Sequence, residues 1–175
     1  MSDPTPVVIT ILPSQASLGD QLAAVIGARH DQRHVDFESV LGHIADTFRS
    51  GAPMVVLAAS GIIIRAIAPH LGHKRTEPPV LAVSADGGSI VPLLGGHRGA
   101  NKLAEKLAVS LDAHAAITTA GDAVFGVALD APPSGWRLEN PLDAKAAMVA
   151  ILSNFFYTRS VPCELWFLNR TNRGI

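Results

Sequence analysis

Met54-Val55-Val56-Leu57-Ala58-Ala59-Ser60-Gly61 is the stretch that decides the fold class of this chain of 175 residues. Its first six residues show no polar alternation, which indicates a strand covered on both faces, as in a parallel sheet. A small polar residue and a glycine then lead into Ile62-Ile63-Ile64-Arg65, which favours a helix that ends near Pro69. A buried strand followed directly by a helix is the repeating unit of α/β domains.

The same alternation continues on both sides of this unit. Apolar residues at helical spacing predict helices over residues 18–26, 37–48 and 103–111. Apolar and β-branched runs predict strands at residues 7–12, 34–37, 80–84, 89–94 and 115–119. Strands that alternate with helices form parallel sheets through right-handed crossovers. We therefore predict an α/β fold with an open, mostly parallel sheet and helices on both faces, a Rossmann-like arrangement of three layers.

Composition limits the kind of protein. Hydrophobic residues make up 48% and charged residues 17%, which is typical of a globular core rather than a disordered chain. The formal net charge of −1 gives no reason to expect binding to nucleic acid or to a membrane. Cys163 is the only cysteine, and no leader-like or membrane-length apolar run is visible. We expect a cytoplasmic protein.

The texture of the sequence changes after the last predicted strand. Residues 1–130 read as one α/β domain. Residues 131–135, Ala-Pro-Pro-Ser-Gly, read as a linker. Asn140-Pro141 would open a further helix, and residues 164–168 would form a strand. We interpret residues 131–175 as a linker, helix and strand at the start of a middle or following domain.

The first candidate site is Ser60, Gly61 and Arg65. Ligands of open α/β sheets bind where a strand ends and the following helix begins, and the N–H groups at the start of a helix favour anions. Arg65 is the single charge in an otherwise apolar helix. The simpler interpretation is that Ser60 caps the helix, Gly61 permits the turn and Arg65 is a solvated surface residue.

The second candidate site is Gly95-Gly96-His97-Arg98-Gly99-Ala100-Asn101, called the glycine loop below. On a helix, His97 and Asn101 would share one face, and Arg98 and Lys102 a neighbouring one. A base, an amide and two cations at one helix start would stabilise an anion or a developing oxyanion. The simpler interpretation is a glycine-rich turn with an exposed histidine and arginine. Lys74, in a polar loop, is a further candidate cation.

Other kinds of site lack their usual residues. Neither candidate is a phosphate-binding P-loop, no Gly-x-Gly-x-x-Gly follows the first strand, and no Gly-x-Ser-x-Gly nucleophile motif occurs. A general nucleotide binder is therefore the weakest reading. His70 and His73 have a spacing that suits a metal, but Pro69 and Gly72 disfavour the helix such a pair needs. We predict no metal site in the protein itself.

The candidate segments resemble a known family. The blocks are Gly61-Ile62 with Arg65, Ala68-Pro69-His70-Leu71 with Lys74, Pro78-Pro79-Val80, Asp86-Gly87, and Pro92-Leu93-Leu94 followed by the glycine loop and Lys102-Leu103-Ala104. In this order and spacing they resemble the N-terminal domain of cobalamin biosynthesis proteins of the cobalt-precorrin-5A hydrolase type. Such a hydrolase opens a lactone on a contracted tetrapyrrole and releases a two-carbon aldehyde.

The resemblance implies a substrate, a precorrin or cobalt-precorrin with several carboxylate side chains, and it implies roles for the candidate residues. His97 would be the general base, with Asn101 beside it. N–H groups of Gly99 and Ala100 would face the oxyanion. The substrate-binding set would be Ser60, Gly61, Arg65, Lys74, Gly95, Gly96, Arg98, Gly99 and Ala100. No cofactor is implied in this domain, since any cobalt would arrive within the substrate.

One departure from the family pattern gives a second reading. The hydrolases usually read His-x-Gly-Gly-Ala-Asn, whereas this chain reads His97-Arg98-Gly99-Ala100-Asn101, one glycine fewer. The shorter form resembles the domain attached to precorrin-3B C17-methyltransferase, in which this domain would hold the tetrapyrrole without hydrolysing it. S-adenosylmethionine would then belong to the fused or partner methyltransferase. The oligomeric state is left open, a homodimer included.

Overall fold

A computed structural model describes residues 4–33, 36–74 and 76–119, together with two short strands at Trp136–Leu138 and Leu168–Arg170. The chain divides into two compact units, Met1–Ile117 and Thr118–Ile175. The boundary predicted at residues 130 and 131 lies inside the second unit and outside the described residues. The fold that positions the candidate residues is that of the first unit.

A six-stranded sheet forms the middle layer of the first unit. Its strands are β1 (Val7–Thr10), β2 (Arg29–Gln32), β3 (Met54–Leu57), β4 (Val80–Val83), β5 (Ser89–Leu94) and β6 (His114–Ala115). Their spatial order is β2-β1-β3-β4-β5-β6. β1 pairs in parallel with β2 and β3, β3 pairs in parallel with β4, and β5 with β6. The mostly parallel sheet predicted from the sequence is therefore confirmed.

Four helices cover both faces of this sheet. They are α1 (Ala16–Ile26), α2 (Phe37–Arg49), α3 (Ser60–Ile67) and α4 (Ala100–Leu111). The side chains of Met54 and Val56 pack in one core with α2 and α3, and those of Val55 and Leu57 pack in a second core with α1 and α4. All four are completely buried, which is why β3 lacks polar alternation. The predicted arrangement of three layers is confirmed.

The strand predicted at residues 34–37 is wrong in position, because the observed strand begins and ends five residues earlier in the chain. β2 is the polar segment Arg29–Gln32, ordered by pairing with β1 rather than by apolar burial. Phe37 opens α2, and Asp36 caps that helix by accepting a hydrogen bond of 2.9 Å from the Ser39 N–H. His34 and Val35 lie outside the described residues.

The strand predicted at residues 115–119 is wrong in extent. β6 covers His114–Ala115 only, and the chain from residue 116 to residue 119 is described without strand structure. Two residue pairs, Ser89 with His114 and Ile90 with Ala115, join it to β5. Among the described residues β6 is an edge strand that pairs with β5.

The direction of β5 decides where the candidate residues lie. β5 is antiparallel to β4, and a turn at residues 84–88 joins them. The Asp86 carboxylate accepts hydrogen bonds from the Ser84 hydroxyl at 2.5 Å and the Gly88 N–H at 3.0 Å, so Asp86 stabilises this turn. A connection this short forces antiparallel pairing, because a parallel pair needs a crossover of a dozen residues or more.

Two edges of the sheet are thus distinguished. The carboxyl edge is where β1, β3 and β4 end, and the amino edge is where β3 and β4 begin. Leu94, the last residue of β5, pairs with Val80, the first residue of β4, and Val80 pairs with Met54 at the start of β3. β5 therefore ends at the amino edge.

A chain of hydrogen bonds lies beside the end of β1, between β2 and α1. Thr10, which is completely buried, is 2.9 Å from the His30 ring through Oγ1 and Nε2. The other ring nitrogen, Nδ1, is 2.6 Å from Asp20 Oδ1, and the His30 side chain is 7% exposed. Because the carboxylate can only accept, Nδ1 carries the proton. The chain holds β2 and α1 together rather than presenting a nucleophile, since the Thr10 hydroxyl has no access to solvent.

The second unit is described through two strands. β7 (Trp136–Leu138) and β8 (Leu168–Arg170) pair antiparallel, Trp136 opposite Arg170 and Leu138 opposite Leu168. The linker at residues 131–135 and the helix predicted from Asn140 lie outside the described residues. So does the strand predicted at residues 164–168, apart from Leu168, where β8 begins.

His43 should make the stability of the first unit depend on pH. Burial, and then the Arg33 charge, lower its pKa below the usual 6.5 and outweigh the opposing hydrogen bond to Asp31. Between the folded pKa and about 6.5 the unfolded chain binds more protons, so stability falls as the pH drops through this window. We expect His43→Gln to reduce the loss of stability between about pH 7.5 and about pH 5.5, measured by urea unfolding. Equal losses in the variant and the parent protein would contradict this role.

Candidate functional site

The carboxyl edge holds Ser60, Gly61 and Arg65. α3 begins at Ser60 itself, with Ala59 in the capping position and no capping hydrogen bond from a side chain. The prediction that Ser60 caps α3 is therefore wrong, because its backbone is already helical. Arg65 bends back along the helix and donates from Nη1 to the Gly61 carbonyl oxygen at 2.8 Å. The three residues lie together in the first two turns of α3, where Ser60 and Arg65 are exposed and Gly61 is half-buried.

The loop after β1, also at the carboxyl edge, has its N–H groups engaged. The buried Gln15 side chain accepts hydrogen bonds through Oε1 from the N–H groups of Ile11 at 3.1 Å and Leu12 at 3.0 Å. This is the position from which dinucleotide-binding folds present N–H groups to a pyrophosphate. Because the Gln15 side chain already accepts from these N–H groups, they are not available to a phosphate. This counts against the interpretation as a general nucleotide binder.

The glycine loop lies at the amino edge, directly after β5. A short 3-10 helix, Gly96–Arg98, stands between Gly95 with φ of 77° and Gly99 with φ of 98°. Glycine is the residue that takes such left-handed backbone angles without steric cost. The substrate-binding set that the resemblance implies combines this loop with residues of the carboxyl edge, but the structure places the two groups at opposite edges, because β5 runs opposite to β4. The two candidate sites are separated along β3 by on the order of 10 Å.

Two predicted features of the glycine loop are corrected. The N–H of Gly99 donates to the Gly96 carbonyl at 3.3 Å and that of Ala100 donates to the Gly95 carbonyl at 3.1 Å. These donors are used within the loop, so the prediction that they face an oxyanion does not fit this structure. His97 and Asn101 also do not share a face of one helix. His97 lies in the 3-10 helix and Asn101 in α4, and the left-handed backbone of Gly99 separates the two helices.

What the loop does bring together is a set of cations at the start of α4. Arg98 and Lys102 are exposed there, and Lys74 is exposed on the segment at residues 71–77, which leads into the start of β4 at the amino edge. Arg98 Nη1 donates to the Thr76 carbonyl at 2.6 Å and lies 3.5 Å from the Glu77 carbonyl. The first turn of α4 carries no acidic residue and no side-chain cap. A positive helix end flanked by cations favours an anionic group.

The structure also places Gly96, Ala100 and Asn101, which the sequence analysis named, at this edge. Gly96 is exposed, and a Cβ placed on it would be 3.6 Å from Asn101 Oδ1, so these two residues adjoin. Ala100 is completely buried and serves the core rather than a surface. Gln15 and Thr76 are the residues that sequence reasoning missed. Their contacts cross the fold and leave no local signal.

Geometry defines the class of protein first: an α/β domain with a cation-rich glycine loop at the amino edge of a mostly parallel sheet. Residues 42–122 match the family described as Cobalamin synthesis G N-terminal, a segment that contains β3, β4, β5 and the whole glycine loop. The resemblance seen in the sequence is confirmed over this segment, which is similar to the N-terminal domain of this cobalamin biosynthesis family.

Two curated relatives are named cobalt-precorrin-5A hydrolase. The chain is 36% identical over 84 residues to the one from Priestia megaterium, which covers 47% of this chain and 22% of that protein. It is 30% identical over 129 residues to the one from Salmonella typhimurium, which covers 69% of this chain and 37% of that protein. The chain therefore spans between about a fifth and two fifths of the length of these relatives.

A solved structure supports the fold alone. A cobalamin biosynthesis protein G homolog from Sulfolobus solfataricus superposes with a TM-score of 0.52 at 19% identity, over 86% of this chain and 46% of that chain. Within the described residues, no helix is long and apolar enough to cross a membrane. The same residues contain no group of three or more potential metal ligands.

Proposed function

We propose that the first unit binds a polycarboxylated precorrin or cobalt-precorrin intermediate of cobalamin biosynthesis at its amino edge. The observation that carries the proposal is the concentration of cations around the glycine loop within the family-matched segment. Lys74, Arg98 and Lys102 lie at this edge. Charge-assisted hydrogen bonds from such groups are the strong contacts available to carboxylates.

The sequences of the 71–77 segment and the glycine loop contain more cations than carboxylates. At residues 71–77 and in the glycine loop the one carboxylate is that of Glu77, and its Oε1 accepts a hydrogen bond of 2.9 Å from the Gly72 N–H. At the carboxyl edge the candidate segment offers one cation, Arg65, and the turn at residues 84–88, which lies at the same edge, carries Asp86. A substrate with several carboxylates therefore fits the amino edge better.

The finer proposal is hydrolysis of a lactone with release of a two-carbon aldehyde. In it, His97 takes a proton from the attacking water and Asn101 orients a substrate oxygen, the roles that the resemblance implies. The two residues are four positions apart in the chain and follow the end of β5 within seven positions, in the same loop and helix start as Arg98 and Lys102. The reaction needs no cofactor from this domain, and any cobalt would be part of the substrate.

The alternative is a domain that holds the tetrapyrrole for a methyltransferase without hydrolysing it. The engagement of the Gly99 and Ala100 N–H groups inside the loop favours it, since an oxyanion would then lack those two donors. The missing glycine favours it as well. S-adenosylmethionine would bind to that methyltransferase, as a fused or partner protein, and not to this chain.

Titration of the protein with precorrin-5A and cobalt-precorrin-5A, followed by absorbance, with acetaldehyde assayed in the same tubes, tests both readings. Binding with acetaldehyde release that His97→Ala abolishes supports the hydrolase. Binding without acetaldehyde supports the holding domain. Absence of any absorbance change with either tetrapyrrole, in protein shown to be folded by circular dichroism, would overturn the proposal for this chain.

A further inference from the structure

The segment called the 71–77 turn is described at residues 71–74, 76 and 77, which are exposed apart from the half-buried Glu77. The His73 carbonyl accepts hydrogen bonds from the Thr76 N–H at 2.8 Å, the Thr76 hydroxyl at 2.9 Å and the Glu77 N–H at 3.3 Å. Lys74 sits at the tip of this turn, directly after His73. At its start, Leu71 is 49% exposed, so that end is not anchored in the core.

Arg98 joins this turn to the glycine loop. Its guanidinium reaches across more than twenty positions of sequence to the Thr76 carbonyl at 2.6 Å and lies 3.5 Å from the Glu77 carbonyl. A planar guanidinium that donates to backbone carbonyls fixes a loop more firmly than an ammonium group does, because its donors have set directions. Thr76 is two residues from Lys74, so what holds Thr76 also places Lys74.

We propose that Arg98 is a positioning residue: it holds the 71–77 turn against the glycine loop and thereby sets the place of Lys74, the cation that meets a substrate carboxylate. The inference rests on the proposed function and assigns its direct charge contact to Lys74. Arg98 already donates one hydrogen bond to the turn, whereas Lys74 is exposed at the tip of the turn. The turn and the loop then act as one surface.

The test has one arm that needs no ligand. Amide hydrogen exchange of Gly72, Thr76 and Glu77 is measured in the full chain for the parent protein, Arg98→Ala, Arg98→Lys and Lys74→Ala. We expect Arg98→Ala to speed exchange at these amides by about tenfold, with Arg98→Lys restoring little and Lys74→Ala having no effect. Arg65→Ala is the matched control, an exposed arginine that also donates to a carbonyl but lies at the other edge.

The second arm measures affinity for uroporphyrin, a porphyrin with carboxylates on every pyrrole, by absorbance titration. We expect Lys74→Ala and Arg98→Ala each to weaken binding by about tenfold, and the double variant to bind no more weakly than Lys74→Ala alone. Two results together would overturn the positioning role and make Arg98 a direct ligand. They are losses of affinity that multiply in the double variant and amide exchange that is unchanged in Arg98→Ala. If the parent protein binds neither uroporphyrin nor a precorrin, the proposed function fails, and the exchange arm alone decides whether Arg98 holds the turn.

Discussion

Gly95→Ala is expected to destabilise the first unit by about 2–4 kcal/mol. A Cβ on Gly95 would stand 2.7 Å from Pro79 Cα and 2.9 Å from the Pro78 carbonyl oxygen, contacts that backbone atoms cannot relieve by rotating a side chain. The φ of 77° adds about 1 kcal/mol of strain for any residue with a Cβ. The remainder comes from the overlap, at the usual cost of overpacking.

Gly51→Ala is the matched control for this prediction. Gly51 has the same φ of 77° but nothing within 4 Å of its added Cβ, so it carries the backbone strain without the overlap. We expect its variant to lose about 1 kcal/mol in urea unfolding. Equal losses at the two positions would show that Pro78 and Pro79 do not pack against the start of the glycine loop as the structure has them.

Gly19→Ala is expected to destabilise by about 2–3 kcal/mol, although alanine is the better helix former. Its Cβ would lie 2.4 Å from His30 Nε2 and 2.6 Å from Thr10 Cγ2, inside the hydrogen-bonded chain that joins β1, β2 and α1. Displacing His30 leaves the buried Thr10 hydroxyl without its partner, a loss of about 1–3 kcal/mol, and breaks the contact to Asp20 as well.

Gly42→Ala gives the opposite sign in the same kind of secondary structure. Gly42 is exposed within α2 and has nothing within 4 Å of its added Cβ, so the variant should gain about 0.5–1 kcal/mol from helix propensity alone. Urea unfolding of both variants at neutral pH measures the difference. A stabilised Gly19→Ala would mean that His30 does not occupy the space beside α1.

Burial on both faces made the central strands predictable from sequence. The apolar run at Met54 and the helical spacing after it define β3 and α3 without ambiguity, and the three-layer fold follows from that alternation. β2 could not be predicted in the same way. Its polar residues, Arg29–Gln32, are held as a strand by pairing with β1, a contact that no local propensity reports.

The direction of β5 can be predicted from the length of the connection before it, although the pattern of apolar runs does not show it. Asp86-Gly87-Gly88 is a turn between two apolar strands, and no helix separates Val83 from Ser89. That spacing permits only an antiparallel pair of strands, and antiparallel pairing places the glycine loop at the amino edge of the sheet.

The contacts of the candidate site that sequence did not foresee are those between distant segments. Arg98 was expected to share a helix face with Lys102 and instead reaches Thr76. Gln15 engages the N–H groups that follow β1. Both contacts depend on tertiary placement of short loops, for which residue spacing carries no information.

The central claim is that the tetrapyrrole binds at the amino edge, and paired charge removal tests it most directly. Affinity for precorrin-5A is measured by absorbance titration for the parent protein, Lys74→Ala at the amino edge and Arg65→Ala at the carboxyl edge. Both side chains are exposed cations, so the two substitutions change the net charge equally. We predict that Lys74→Ala weakens binding by about tenfold while Arg65→Ala leaves it within about twofold. Weakening by Arg65→Ala alone would contradict the account and place the substrate at the ends of β1 and β3.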